Sequence, residues 1–137
     1  MLRMAPRFLL LTALVFPALA DRASAQPVFA RTGEAMQLLE SRCMRCHDHG
    51  KTRGGLSLAT RETLLRGGDT GPAIVPGSAA KSLLYQLVTR TDESAMPQSG
   101  PRLTAAQVKL LAAWIEAGAP YDRTLGKGGQ NVVWWSL

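Results

Sequence analysis

Cys43-Met44-Arg45-Cys46-His47 is the most informative segment of the chain, because its C-x-x-C-H pattern is typical of covalent haem attachment. Two thiols three residues apart on a helical turn can reach the two vinyl groups on one porphyrin edge and form thioethers. The next residue then lies under the ring, where its imidazole nitrogen can bind iron. The pattern therefore predicts Cys43 and Cys46 as haem anchors and His47 as the proximal ligand.

The motif alone leaves three other chemistries open. A thioredoxin-like redox pair would need a strand before the motif and a βαβ pattern around it, and neither is visible. A zinc site could add His47 and His49 to the thiols, but four donors within seven residues surround a tetrahedral ion poorly. Because Cys43 and Cys46 are the only cysteines, a disulfide between them is the remaining alternative.

The N-terminus has the pattern of a secretory signal peptide over residues 1–25. A basic start is followed by a mostly apolar run at 8–20, and Ala23-Ser24-Ala25 matches an A-x-A cleavage site. The apolar run has 13 residues, whereas about 20 are needed to span a bilayer. We therefore expect an exported, periplasmic protein that begins at Gln26 and keeps no stable membrane anchor. Export agrees with the motif, since cytochromes c are assembled outside the bacterial cytoplasm.

The charge of the chain bears on its partners. The net charge is +6, of which Arg3, Arg7 and Arg22 against Asp21 contribute a net +2, so the mature part carries +4. This excess suits docking to an acidic redox partner protein better than it suits nucleic-acid binding. Ordinary surface charge is the simpler explanation, and we expect no nucleic-acid partner.

The apolar spacing predicts four helices and hence a mostly α fold. The first helix is expected from about residue 33, with Thr32 as its N-cap, and leads into the haem motif. The second is expected over residues 61–66, capped by Thr60 and ended at Gly67.

Two further helices are expected in the second half of the chain. One covers residues 79–89, with Ser78 as its N-cap and a leucine-rich face. The other begins at a capping box of Thr104 and Gln107 and ends before Gly118. We expect this last helix to pack across the first helix and close the haem pocket.

Met96 is the best candidate for the distal ligand. It precedes Pro97 in a predicted loop and follows His47 by 49 residues, enough chain to reach the opposite face of a haem. A thioether opposite a histidine is a common axial pair in electron-transfer haem proteins, and it raises the reduction potential. The other methionines of the mature chain, Met36 and Met44, precede the motif or lie within it.

Several polar residues around the motif have weaker assignments. The turn-rich segment 69–77 could supply a carbonyl that accepts the second ring N–H of His47, or it could have no haem contact. Lys51 and Arg53 could pair with haem propionates, with plain solvation as the alternative. His49 is too close to His47 to reach the opposite face of the ring, so we interpret it as a solvated loop residue.

Further motifs accompany C-x-x-C-H, namely Gly54-Gly55-Leu56, the run GGDTGPAIVPG at 67–77, Met96-Pro97, and Trp114-Ile115 with Gly118-Ala119-Pro120. With them, residues 36–121 resemble the planctomycete-type cytochrome c domain, a class I-like c-type cytochrome. The resemblance implies a mostly α fold, a small cytochrome c-like helical domain wrapped around one covalently bound haem. In it, Cys43 and Cys46 would be the haem anchors, His47 the proximal ligand and Met96 the distal ligand.

The expected organisation is a signal peptide at 1–25, a cytochrome c domain at 26–121 and a tail or linker at 122–137. In the family that the chain resembles, this domain usually opens a much longer exported protein. Trp134-Trp135-Ser136-Leu137 resembles the linker at which such proteins continue. The chain is therefore expected to correspond to a short form or to the N-terminal part of a longer protein.

The expected function is one-electron transfer through a His/Met-ligated haem c, with no enzymatic activity of its own. Such a domain can also serve as the cytochrome module of a larger oxidoreductase. One alternative is a haem enzyme or ligand sensor with a displaceable sixth ligand, and another is a haem-free exported dithiol or disulfide module. No catalytic triad, paired-carboxylate site or nucleotide-binding loop is visible in the sequence.

Overall fold

The structure is a computed structural model that describes residues 28–126. Its elements in chain order are α1 (Val28–Arg42), α2 (Met44–His47), β1 (Lys51–Thr52), a 3-10 turn (Arg53–Gly55), α3 (Arg61–Arg66), α4 (Leu83–Thr89) and α5 (Ala105–Glu116). The predicted mostly α, cytochrome c-like fold class is confirmed. The predicted signal peptide and residues 127–137 of the predicted tail lie outside the described residues. None of the described helices has the length and apolar character needed to cross a membrane.

The packing of α1 against α5 forms the centre of the hydrophobic core. In α5, Leu111, Trp114 and Ile115 are buried, as the apolar stripe of the sequence predicts. In α1, Met36 and Leu39 are fully buried. Full burial of one such side chain stabilises the fold by roughly 1.5–3 kcal/mol. The position of α1, which leads directly into the haem motif, is therefore fixed by the core.

The start of α5 matches the prediction because it depends on local hydrogen bonds. The hydroxyl of Thr104 accepts the N–H of Gln107 at 3.2 Å, and the amide oxygen of Gln107 accepts the N–H of Thr104 at 2.9 Å. A reciprocal capping box of this kind satisfies two N–H groups that have no partner inside the helix. A second capping box, between Thr60 and Thr63, starts α3 at the predicted residue.

Two predicted helix starts are wrong, those of α1 and α4. α1 begins at Val28 instead of residue 33, so Thr32 is an interior helical residue that is only 4% exposed. α4 begins at Leu83 instead of residue 79. The buried hydroxyl of Ser82 accepts the N–H of Val75 at 2.9 Å and donates to the carbonyl of Ser78 at 2.8 Å. These bonds stabilise a turn before residue 82, so the helix starts after it.

The chain after α5 returns across residues 57–59. Gly118 has a φ of 91° and ends the helix as predicted. The indole N–H of Trp114 donates to the carbonyl of Pro120 at 2.7 Å, and the hydroxyl of Tyr121 donates to the carbonyl of Leu58 at 3.0 Å. The N–H of Leu125 donates to the carbonyl of Ala59 at 2.8 Å.

This returning segment is part of the core. Leu125 is fully buried, and the rings of Trp114 and Tyr121 pack with centroids 5.9 Å apart. Burial raises the pKa of Tyr121, so its phenol stays neutral and keeps donating to Leu58 at physiological pH. Residues 57–59 follow the haem motif and its loop. They are therefore held in place by bonds to Tyr121 and Leu125, which pack on the core.

Candidate functional site

One cavity of about 450 Å³ brings the four predicted site residues together. Its lining includes Cys43, Cys46 and His47 of the motif and also Met96, which is far from them in the sequence. Cavities of roughly 300–1,000 Å³ are typical of cofactor and ligand sites. The structure thus places both cysteines, the histidine and the methionine on one common site.

The rest of the cavity lining comes from the end of α1, Arg45, residues 53 and 54, the loop after Met96 and two apolar side chains. Val88 of α4 and Leu103 supply the apolar side chains, and Pro97 and Pro101 belong to the loop. None of the residues of α5 lines the cavity, so the prediction that this helix closes the pocket is wrong. α5 packs on α1 from the core and supports the site indirectly.

The two cysteines occupy one tight turn, because the N–H groups of Cys46 and His47 both lie 3.1 Å from the carbonyl of Cys43. Both thiols are free. Burial raises the pKa of the Cys43 thiol to about 11, although the neighbouring Arg42 acts in the opposite direction. Cys43 is therefore a neutral thiol at physiological pH. Two free thiols on one turn fit thioether formation, and the disulfide alternative is not the state that the structure shows.

The imidazole of His47 is oriented by a backbone carbonyl. Its Nδ1 lies 3.3 Å from the carbonyl oxygen of Leu56. A carbonyl can only accept, so Nδ1 carries the proton in this contact. In a neutral imidazole the lone pair then resides on Nε2, which is the nitrogen available to a metal. The proton assignment thus leaves His47 with one free metal-binding nitrogen.

The hypothesis that segment 69–77 supplies the acceptor for His47 is wrong. The partner of Nδ1 is the carbonyl of Leu56 instead. Within the segment, Ala73 accepts the N–H of Leu84 at 2.8 Å, and the N–H of Gly77 donates to the carbonyl of Ile115 at 2.9 Å. Its second half is therefore bonded to α4 and to α5.

Met96 lies in a loop held by one backbone bond to α4 and by one arginine from each of α1 and α2. Its N–H donates to the carbonyl of Leu87 at 2.9 Å, and the preceding residue, Ala95, is buried. The peptide bond to Pro97 is cis. Further along the loop, Arg45 donates to the hydroxyl of Ser99 at 3.1 Å. Arg42 donates to the carbonyl of Pro101.

The charges around the cavity have one sign. Arg42, Arg45 and Arg53 contribute to the lining, and none of the described residues that line it is acidic. Of the two residues predicted to meet haem propionates, Arg53 is at the cavity, whereas Lys51 is exposed and is not part of the lining. His49 is exposed, as its interpretation as a solvated loop residue predicts. A basic lining suits a cofactor that carries carboxylates.

Sequence reasoning missed the acceptor of His47 and the two arginines that reach the loop of Met96. A backbone carbonyl has no sequence signal of its own, so Leu56 could not have been found. Arg42 and Arg45 flank Cys43 and Cys46, and their closeness to the motif was the available signal. Within residues 28–126, no group of three or more His, Cys, Asp and Glu side chains could hold a metal ion, which leaves the zinc alternative without support.

Fold and site together define the class of protein as a small, mostly α cytochrome c-like domain. The donor set fits a haem, because two free thiols, an imidazole with a free nitrogen and a thioether share one partly apolar cavity. Residues 43–100, the part of the chain that holds the motif and Met96, match the family described as planctomycete cytochrome c. No curated protein and no solved structure matches the chain.

Proposed function

We propose that this domain carries one covalently attached haem c and acts as a one-electron carrier. Cys43 and Cys46 would form the two thioethers, His47 would be the proximal ligand and Met96 the distal ligand. The observation that carries the proposal is the meeting of all four side chains on one cavity of about 450 Å³. The match of residues 43–100 to a cytochrome c family supports the haem.

Each axial residue has a distinct part in this proposal. The hydrogen bond from Nδ1 of His47 to Leu56 fixes the ring orientation and makes Nε2 a better electron donor. The thioether of Met96 is a soft ligand that favours the reduced iron and raises the reduction potential. A bound haem would supply reversible Fe(III)/Fe(II) chemistry, and His47 and Met96 together would leave no position on the iron for a substrate.

The proposed partner is an acidic redox protein, and the proposed location is outside the cytoplasm. Three arginines line the cavity without an acidic neighbour in the described lining, which favours association with a negatively charged surface. The signal-peptide pattern over residues 1–25 supports export. N-terminal sequencing of the secreted chain should begin at Gln26, and an uncleaved Met1 on a cytoplasmic chain would contradict the export.

The haem is tested by a pyridine haemochrome assay on protein made together with the cytochrome c maturation machinery. We expect the spectrum of a haem bound through two thioethers, at one haem per chain. Replacing both Cys43 and Cys46 with Ala should abolish it. A colourless wild-type protein with two reactive thiols would instead support the haem-free dithiol module.

The distal ligand is tested by a matched pair of methionine substitutions. Met96→Leu should keep the covalent haem but lose the low-spin, sulfur-ligated absorption spectrum, because leucine offers no donor atom. Met36→Leu removes a thioether of the same size from the core and should leave the spectrum unchanged. If Met96→Leu also leaves the spectrum unchanged, another group fills the sixth position or none does, and the ligand-sensor alternative gains support.

A further inference from the structure

We propose that Gly68 is a positioning residue for the proximal ligand. Because Gly68 has no side chain, the loop 67–71 can lie against Leu56 and hold the carbonyl of Leu56 beside the imidazole of His47. The inference rests on the proposed role of His47 as a haem ligand. In this proposal, Gly68 of the glycine-rich run at 67–77 acts on the iron ligand indirectly, through the backbone of residues 54–56.

The space beside Gly68 is already filled by the backbone of residues 54–56. A Cβ added to Gly68 would lie 2.2 Å from the carbonyl oxygen of Gly54, 2.9 Å from the nitrogen of Leu56 and 3.2 Å from the Cβ of Leu56. Real Cβ atoms essentially never approach other heavy atoms closer than 3.0 Å. Gly68 does not have a positive φ. The position therefore needs glycine for space, and alanine would be tolerated by its backbone conformation.

The two segments are also joined by a hydrogen bond, since the N–H of Asp69 donates to the carbonyl of Gly54 at 2.8 Å. Reciprocal bonds between Gly68 and Gly71, at 3.1 and 3.0 Å, close the loop on itself. Its two ends continue into buried residues, Leu64 in α3 and Ala73 after the loop. The loop is thus a firm surface against which Leu56 is placed, and a side chain at residue 68 would have to displace residues 54–56.

Displacement of Leu56 acts directly on His47. The nitrogen of Leu56 faces Gly68, and its carbonyl oxygen is 3.3 Å from Nδ1 of His47. This distance is just beyond the usual 2.7–3.2 Å range of a hydrogen bond from nitrogen to oxygen, so a small further separation breaks the bond. A histidine without this acceptor is a weaker electron donor. Fe(III) is then less stabilised relative to Fe(II), and the reduction potential shifts to a more positive value.

The test compares Gly68→Ala with Gly50→Ala in the haem-loaded protein. Gly50 has no atom within 4 Å of an added Cβ and no positive φ, so its substitution controls for the glycine-to-alanine change itself. We expect Gly68→Ala to keep its haem, to have a more positive midpoint potential than wild type, and to show a faster-exchanging Nδ1 proton of His47 by NMR. Gly50→Ala should match wild type in both measurements.

A second pair covers the case in which Gly68→Ala does not fold. Leu56→Gly and Leu56→Ala lose nearly the same packing, but only glycine frees the backbone that carries the acceptor. We expect a positive potential shift in Leu56→Gly relative to Leu56→Ala.

The possible failures can be told apart. A red wild-type protein whose potential is the same in Gly68→Ala and Gly50→Ala overturns this inference and leaves the proposed function intact. If Gly68→Ala is not recovered, equal potentials in the two Leu56 variants overturn it. A wild-type chain that carries no haem overturns the proposed function and this inference together.

Discussion

The two proposed axial ligands are held in different ways. His47 is bonded to the segment that follows it, with Nδ1 at Leu56 and its carbonyl accepting the N–H of Leu58 at 2.8 Å. That segment is bonded in turn to the buried residues after α5. Met96 lies in a loop with one backbone bond to α4, and the bonds that join this loop to α1 and α2 come from the side chains of Arg42 and Arg45.

This difference predicts unequal responses to stress. Regions with few buried contacts open at lower free energy than the core does. The proximal ligand is therefore expected to persist until global unfolding, whereas the distal ligand can detach while the domain stays folded. A cytochrome of this design would keep its haem under conditions that already exchange its sixth ligand.

The largest expected effect comes from removing either ligand. His47→Ala should abolish the haem-loaded protein, whereas Met96→Ala should retain covalent haem with an altered spectrum. The haem must stay beside the two thiols while the thioethers form, and His47 is expected to hold it there. Loss of even a hydrogen-bond partner of a metal ligand costs about 10–100-fold in affinity, so loss of the ligand itself should weaken this hold further. Haem per chain, measured after purification, checks this. Equal haem content in the two variants would contradict the comparison.

A smaller effect is expected from the core side of the proximal segment. Tyr121→Phe removes the hydroxyl that donates to Leu58 and leaves a part-buried carbonyl without its partner. We expect a loss of about 1–3 kcal/mol in the free energy of unfolding, measured with denaturant.

The control for this change is Tyr85→Phe in α4, which removes a hydroxyl that has no hydrogen-bond partner among the described residues. It should change the free energy of unfolding by less than about 0.5 kcal/mol. Similar losses in both variants would show that the bond to Leu58 contributes nothing specific.

The smallest expected effect is at the loop of Met96. Arg45→Ala removes the hydrogen bond to Ser99. Because this bond is exposed to solvent, it should stabilise the loop by about 0.5–1.5 kcal/mol. We expect added imidazole to displace Met96 several-fold more readily, with no change in haem content, as measured by titration of the absorption spectrum. Arg66→Ala, at the exposed end of α3, is the control. An unchanged imidazole affinity in Arg45→Ala would show that the loop is held without this contact.

The features that were predictable from sequence are those that depend on neighbouring residues. The C-x-x-C-H turn and the capping boxes at Thr60 and Thr104 each involve side chains within four residues of one another. Residue types alone therefore determined where α3 and α5 begin.

The features that could not be predicted depend on distant backbone. Ser78 and Ser82 are equally good caps by residue type, and only the bonds of Ser82 to a folded turn decide between them. The acceptor of His47 is a carbonyl, which every residue has, so only the course of the chain identifies Leu56. The requirement for glycine at residue 68 likewise appears only when residues 54–56 are in place.

Covalent attachment of haem to both cysteines can be measured by the mass of the denatured mature chain after export through the cytochrome c maturation machinery, with and without a thiol-alkylating reagent. We expect a chain heavier by one haem in which Cys43 and Cys46 take up no reagent. A chain of unmodified mass that takes up two equivalents of reagent would contradict this expectation.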